Sequence, residues 1–195
     1  MIQNTASTSV DIDKNISERW SPRAFRLERL DPISVKRLFE AARWSASSYN
    51  EQPWRFIAGM QGQGKTFEKI IDVLVPFNQK WASKAPLLIL ACAKKTFSKN
   101  GKHNHHALYD VGQAMATLTL QATEEGLYVH QMAGFSEHKA IENFNIPDDY
   151  EPIVVAAVGK IDEQEIYDND GPKERKRMEL NEICWSDWDT AFDLK

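Results

Sequence analysis

Ala85-Pro86-Leu87-Leu88-Ile89-Leu90-Ala91-Cys92-Ala93 is the longest apolar stretch of the chain, opened by a proline and closed by Lys94-Lys95. It is about half as long as a membrane-spanning helix requires. A run without polar alternation fits a strand covered on both faces, and a proline is tolerated at its start. The stretch therefore predicts the centre of a sheet, with other structure packed on either side of it.

On the N-terminal side, Asp31-Pro32 supplies a cap and a first-turn proline. Ile33, Leu38, Phe39, Ala41 and Ala42 follow at helical spacing. That helix runs out near Trp44 to Ser48, because serine hydroxyls compete for local backbone groups. Tyr49 to Pro53 reads as a loop and Trp54 to Ile57 as a strand. Phe67 to Trp81 repeats Ile70, Ile71 and Leu74 on one face and predicts a second helix.

On the C-terminal side, Ala107 to Glu125 carries Leu108, Val111, Met115, Leu118 and Ala122 at steps of three and four, and Gly126 follows as a cap. Ala114, Ala116 and Leu120 lie on other faces, so this reads as a core or interface helix buried nearly all round. Tyr128 to Phe135 reads as a strand, Ser136 caps a short helix through Phe144, and Ile153 to Gly159 is another buried strand. Residues 1–14 are polar and read as a mobile arm, and 15–195 as one domain. Beyond Asp162 the tail has a Gly171-Pro172 breaker, the basic run Lys173 to Arg177, and an apolar group at Leu180, Ile183, Trp185 and Trp188. Those tryptophans predict that the tail packs on something, a partner subunit being the natural candidate.

Composition narrows the function. The chain has 195 residues, 42% of them hydrophobic and 27% charged, which fits a folded globular protein rather than a disordered one. Its net charge of -4, with both signs interspersed, offers no broad positive field and argues against nucleic acid as a partner. Cys92 and Cys184 lie far apart, so no disulfide framework or thiolate metal site is expected. The N-terminus carries Asp11 and Asp13 where a signal peptide would need an apolar run. These features predict a soluble, cytoplasmic protein without a membrane partner.

Three segments could carry chemistry. Arg19-Trp20-Ser21-Pro22-Arg23-Ala24-Phe25 brings two guanidinium groups and a hydroxyl close together, a set that can converge on a phosphate. Standing alone, it is more often a solvated basic turn. Ser47-Ser48-Tyr49-Asn50-Glu51-Gln52-Pro53-Trp54 clusters side chains that donate and accept, which suits the edge of a planar heterocycle and equally an Asx-type turn ended by proline. Arg175-Lys176-Arg177 could close over the same phosphate or form a solvated face. The histidines of His103-Asn104-His105-His106 lack a carboxylate or thiol at ligand spacing and read as an exposed loop rather than a metal site. No GxGxxG after a strand, P-loop, GxSxG or HExxH is found, so dinucleotide domains, kinases and common hydrolases lose support.

Taken in order, these segments resemble the nitroreductase family of FMN enzymes. The resemblance rests on Arg19, Ser21, Arg23 and Phe25; on the loop from Ala46 through Trp54; and on Ala85-Pro86 opening a strand. Asp110, Gly112 and Ala114 at a helix entry, Gly126-Leu127, Gly134-Phe135 and a basic pair near the C-terminus continue it. It departs at Ala46, where the family commonly has proline, at Trp20, where a second basic residue is frequent, and at Ala133-Gly134, where the usual turn is Gly-Gly.

The resemblance implies an α+β three-layer sandwich with a mixed central sheet and flanking helices, a homodimer with a swapped C-terminal tail, and two FMN sites at the interface. Arg19, Trp20, Ser21 and Arg23, joined by Arg175 and Arg177, would bind at the FMN phosphate. Ser47, Ser48, Asn50 and Gln52 would reach the flavin from the other subunit, and Gln131, Met132, Ala133 and Gly134 would lie against the isoalloxazine. The implied reaction is ping-pong, with hydride passing from NADH or NADPH through flavin N5 to a small electron-poor acceptor such as a nitroaromatic or quinone, without a catalytic side chain. A non-catalytic flavin-binding dimer and a dehalogenase-like or flavin-modifying member of the same fold are the alternatives.

Overall fold

The structure is a computed structural model and describes residues 4–168 and 171–193. The central strand spans Leu87–Lys94 (β2). It lies between Trp54–Met60 (β1) and Tyr150–Gly159 (β4), and β4 in turn pairs with Tyr128–Met132 (β3), giving the order β1-β2-β4-β3. Leu87 through Ala93 are all buried to 2% exposure or less, so the apolar run is covered on both faces as its composition requires.

Alternation along β2 divides the core in two. Leu87, Ile89, Ala91 and Ala93 face helices Pro32–Arg43 (α2) and Ala107–Glu124 (α5), where they meet Leu38, Ala42, Val111, Met115 and Leu118. Leu88, Leu90 and Cys92 face Thr66–Val73 (α3), Pro76–Ala82 (α4) and Glu137–Phe144 (α6), where they meet Phe67, Ile70, Val73, Trp81 and Ala140. The result is three layers, helix on sheet on helix. Burial pushes the Cys92 thiol up to about 11 and so disfavours its reactive thiolate.

The expected mixed sheet is corrected. Among the described residues, every pair in the four-stranded sheet is antiparallel. The register gives the reason: Met60 at the end of β1 faces Leu87 at the start of β2, so α3 and α4 leave and re-enter the sheet at one end. A helical connection that returns to the end it left forces an antiparallel neighbour.

The helix expected over Phe67 to Trp81 is two helices. Pro76 cannot donate a backbone hydrogen bond and pushes the preceding residue out of the helical region. Leu74 and Val75 are accordingly extended, at ψ 150° and 151°. The third strand ends at Met132, short of Phe135. Within one protomer α5 is buried on one side only, and Leu108 (51% exposed), Tyr109 (69%), Gly112 and Ala116 form an uncovered stripe. The other start and stop signals act as read. Asp31 accepts from the Ile33 and Ser34 amides, Ser136 accepts from the Lys139 amide, and Gly126 takes φ +68° just past α5.

Two short helices, Lys14–Glu18 (α1) and Glu163–Asp168 (α7), flank the segment that carries Arg19 to Phe25. The tail forms Leu180–Ile183 (α8) and a small hairpin of Trp185–Asp187 (β5) and Thr190–Ala191 (β6). Met178, Ile183, Trp188 and Phe192 on this tail are each more than half exposed.

Candidate functional site

Residues 19–25 run past the edge of β3, and Phe25 bridges to Ile161 just beyond β4. This segment forms one wall of a cleft of about 640 Å³, within the range of small-ligand sites. Arg19, Ser21 and Arg23 line it from that wall, Trp81 and His130 lie at its base in sequence-distant elements, and Lys173, Arg175 and Arg177 line it from the tail.

Positive charge dominates the cleft: four arginines and Lys173 line it against one carboxylate, Glu165, which pairs with Lys84 at 2.7 Å. Burial lowers the pKa of the Arg19 guanidinium, and the neighbouring Arg177 lowers it further. Arg175 is lowered by burial and then by both Arg19 and Arg177. Among the described residues, none of Arg19, Arg23, Arg175 and Arg177 has a carboxylate within ion-pair distance. Crowded guanidinium groups of this kind are relieved by a multivalent oxyanion that accepts from several N–H groups at once. Arg19 Nη1 already donates to Ser21 Oγ at 3.3 Å, which points both groups at one place.

The tail arginines are less free than the sequence suggests. Arg175 Nη1 donates to the carbonyls of Asn4 and Ser17, both at 2.7 Å, and Arg177 Nη1 donates to the Lys176 carbonyl at 2.7 Å. Arg23 lies over the Phe77 ring at 5.1 Å. Trp20 lines the cleft while packing edge-on against Tyr128, so its indole also serves the small cluster of Ala24, Ile161 and Ile166.

The turn after β3 offers main chain rather than side chains. Met132 is 3% exposed with its side chain in the core, while Gln131 and Ala133 are exposed. The Gly134 carbonyl accepts from the Val75 amide at 3.0 Å and from Asn78 Nδ2 at 3.1 Å. A Cβ at Gly134 would meet Asn78 Nδ2 at 2.9 Å and Val75 Cγ2 at 3.1 Å. Those are side-chain atoms that can yield, so Gly134→Ala is expected to cost about 1 kcal/mol and lower the melting temperature by about 2–4 °C in a thermal scan.

The loop 47–52 has a strained backbone. Tyr49, Asn50 and Gln52 take φ of 52°, 56° and 51°, a left-handed conformation that costs non-glycine residues energy unless the surroundings enforce it. Gln52 N donates to Ser47 Oγ at 3.0 Å, and Ser48 N donates to the Asp110 carboxylate at 3.1 Å. Glu51 accepts from Ser98 N at 2.8 Å and Oγ at 2.5 Å, and from Lys94 Nζ at 3.4 Å. Burial pushes the Glu51 carboxyl up, but these bonds outweigh it and hold the group below the usual range. The clamped loop displays Tyr49, 93% exposed, and presents Asn50 outward.

The predicted residues thus fall into two groups. The 19–25 segment and the tail arginines gather toward the Gly159 end of β4, and the 131–134 turn follows Met132, which pairs with Val155 midway along that strand. The 47–52 loop stands at the other end, where Trp54 pairs with Ala93 and Lys94 with Tyr150. β4 is ten residues long, which places its ends roughly 30 Å apart. Within one protomer the 47–52 loop and the 19–25 segment therefore stand at opposite ends of the strand.

Asp110, Glu51, His130 and Lys173 join these groups without having been singled out as site residues. Asp110 was legible in principle. It is a carboxylate, 2% exposed, in the buried stripe of Ala107, Val111, Ala114 and Leu118, where a charge is rare unless it has a task. The contacts of Glu51 and His130 span long sequence separations and leave no local pattern.

The fold and the cleft define an α+β scaffold with an arginine-lined pocket at the sheet edge. The model of the nitroreductase family matches residues 16–74 and 61–160, and the chain belongs to that family. A 15.4 kDa protein of Mycolicibacterium smegmatis is 30% identical over 144 residues, covering 68% of this chain and 95% of its own length. Among solved structures, an oxidoreductase containing FMN aligns with a TM-score of 0.86 at 25% identity, over 95% of this chain and 96% of that one. A nitroreductase family protein from Streptococcus pneumoniae aligns with a TM-score of 0.74 at 19% identity, over 89% and 98%, which shows the shared fold.

Proposed function

We propose that this chain is an FMN-dependent oxidoreductase that moves electrons from NADH or NADPH to a small electron-poor acceptor, in a homodimer whose two sites each use both protomers. The observation that carries the reading is the crowded guanidinium group of Arg19, Arg175 and Arg177 beside Ser21, at the mouth of a cleft sized for a cofactor. These residues suit the phosphate of FMN, which when bound supplies the two-electron chemistry between a nicotinamide and the acceptor.

The protein's own part is to bind, orient and polarise. Arg19, Ser21 and Arg23, with Trp20 beside them and Arg175 and Arg177 opposite, hold the phosphate. The main chain of Gln131, Met132, Ala133 and Gly134 lies along the ring system, where amide N–H groups stabilise negative charge. Ser47, Ser48, Asn50 and Gln52, at the opposite end of β4 from Arg19, serve the partner's site. The uncovered α5 stripe of Leu108, Tyr109, Gly112 and Ala116 and the exposed tail aromatics supply apolar surface for that pairing. Residues 15–195 act as one unit in this scheme, and the protein works in the cytoplasm.

The decisive experiment is an absorbance spectrum of the purified protein before and after anaerobic NADH or NADPH, with the released chromophore identified by mass. Flavin bands that bleach on addition, with FMN released, are expected. A yellow protein that does not bleach with either donor makes it a flavin-binding dimer without this activity, and a colourless protein that takes up no FMN overturns the reading.

A further inference from the structure

His130 is the one imidazole on β3, paired across the sheet with Ala157, and it faces the side of the sheet that carries Trp81. Its Nδ1 lies 2.9 Å from the carbonyl oxygen of Pro22, a residue 108 positions earlier in the chain. A carbonyl can only accept, so Nδ1 carries the proton and the ring donates. Burial lowers the His130 pKa and outweighs the bonds to the Pro22 and Ser21 backbone, which raise it, while the charge of Arg23 adds to the lowering. The balance favours a neutral ring with the proton on Nδ1.

The rest of the ring is fixed by packing. Trp81 contacts His130 at 4.6 Å between centroids on one side and stacks on Phe25 at 6.2 Å and 25° on the other. Phe25 is 1% exposed and Trp81 7%. The column Phe25–Trp81–His130 therefore grips the 19–25 segment at two points, through the Phe25 ring and through the Pro22 carbonyl. Pro22 sits between Ser21 and Arg23, the two side chains whose direction decides whether the cleft can meet an oxyanion.

We propose that His130 is a positioning residue for phosphate recognition, its Nδ1–H bond to the Pro22 carbonyl setting the backbone from which Ser21 and Arg23 reach the phosphate. The inference rests on the flavin reading above. His130 need not touch the ligand. It couples β3, which leads into the turn beside the ring system, to the segment that holds the other end of the same molecule.

The test is the ratio of FMN to riboflavin affinity, measured by quenching of flavin fluorescence, in wild type, His130→Phe and His130→Asn. Phenylalanine keeps an aromatic ring against Trp81 and loses the donor, whereas asparagine places an amide N–H near the lost Nδ1. FMN affinity is expected to fall about tenfold in His130→Phe, the effect of losing one bond, with riboflavin changed by less than about threefold. His130→Asn is expected to recover most of the ratio. An unchanged ratio in His130→Phe, or a parallel loss for both ligands that asparagine does not restore, overturns the assignment. Wild type is measured independently of either variant. Its imidazole nitrogen shifts at neutral pH are expected to report the Nδ1–H tautomer, and a ring protonated on Nε2 alone overturns the bond on which the proposal stands. Wild type that binds neither flavin, or binds both equally, fails the flavin and phosphate reading itself.

Discussion

Arg19→Ala is expected to weaken FMN retention by about 1.5–3 kcal/mol, roughly a ten- to 150-fold rise in the dissociation constant. The magnitude is that of a charge-assisted hydrogen bond to an anion, and the sign of a second effect makes the prediction specific. In the free protein, Arg19 is half-buried beside Arg177 and Arg175 and is disfavoured by both desolvation and repulsion. Its removal is therefore expected to leave the thermal stability of the apoprotein unchanged or slightly higher. A residue serving the fold alone would show the reverse, with a lower melting temperature and unaltered flavin affinity. Equilibrium titration with FMN alongside a thermal scan of the apoprotein separates the two. Unchanged retention would remove Arg19 from the phosphate site.

The second large effect is complementation between two defective chains. Arg19 and the pair Asn50 and Gln52 belong to groups at opposite ends of β4, roughly 30 Å apart by strand length. If each flavin site takes Arg19 from one protomer and Asn50 with Gln52 from the other, a heterodimer of Arg19→Ala with Asn50→Ala/Gln52→Ala holds one doubly damaged site and one intact site. Random pairing of equal amounts makes half of all dimers mixed, so about a quarter of all sites recover wild-type composition in a symmetric dimer. Co-expression with two tags, purification of the mixed species and a flavin titration are expected to show about half of the sites in that species binding tightly, while each variant alone shows none. A site built within one protomer predicts no recovery in any mixture. The same result decides whether the exposed α5 stripe and tail meet another copy of the chain.

How far the site was legible depends on the range of its contacts. The pieces at 19–25 and 47–54 are contiguous, so residue types and spacing marked them, whereas 131–134 followed only from the family resemblance. Their grouping was not marked, because nothing local to Ser48 says that Asp110 receives its amide, or to Pro22 that His130 binds its carbonyl. Arg175 shows the same limit from the other side. A basic run suggests free guanidinium groups, but one nitrogen of Arg175 is already given to the carbonyls of Asn4 and Ser17.

Sequence by itself determined what short-range physics controls. The buried central strand followed from an uninterrupted apolar run, and the helix caps at Asp31, Ser136 and Gly126 followed from local hydrogen bonding and backbone freedom. Pro76 also carried a local signal, the break between α3 and α4, that an apolar periodicity read across it concealed. Tertiary structure alone decided the antiparallel pairing, the open stripe on α5, and the crowding of Arg19, Arg175 and Arg177. Each of these depends on which distant segments share a surface, and pairing energies between distant segments leave no periodicity in the chain for a reader to find.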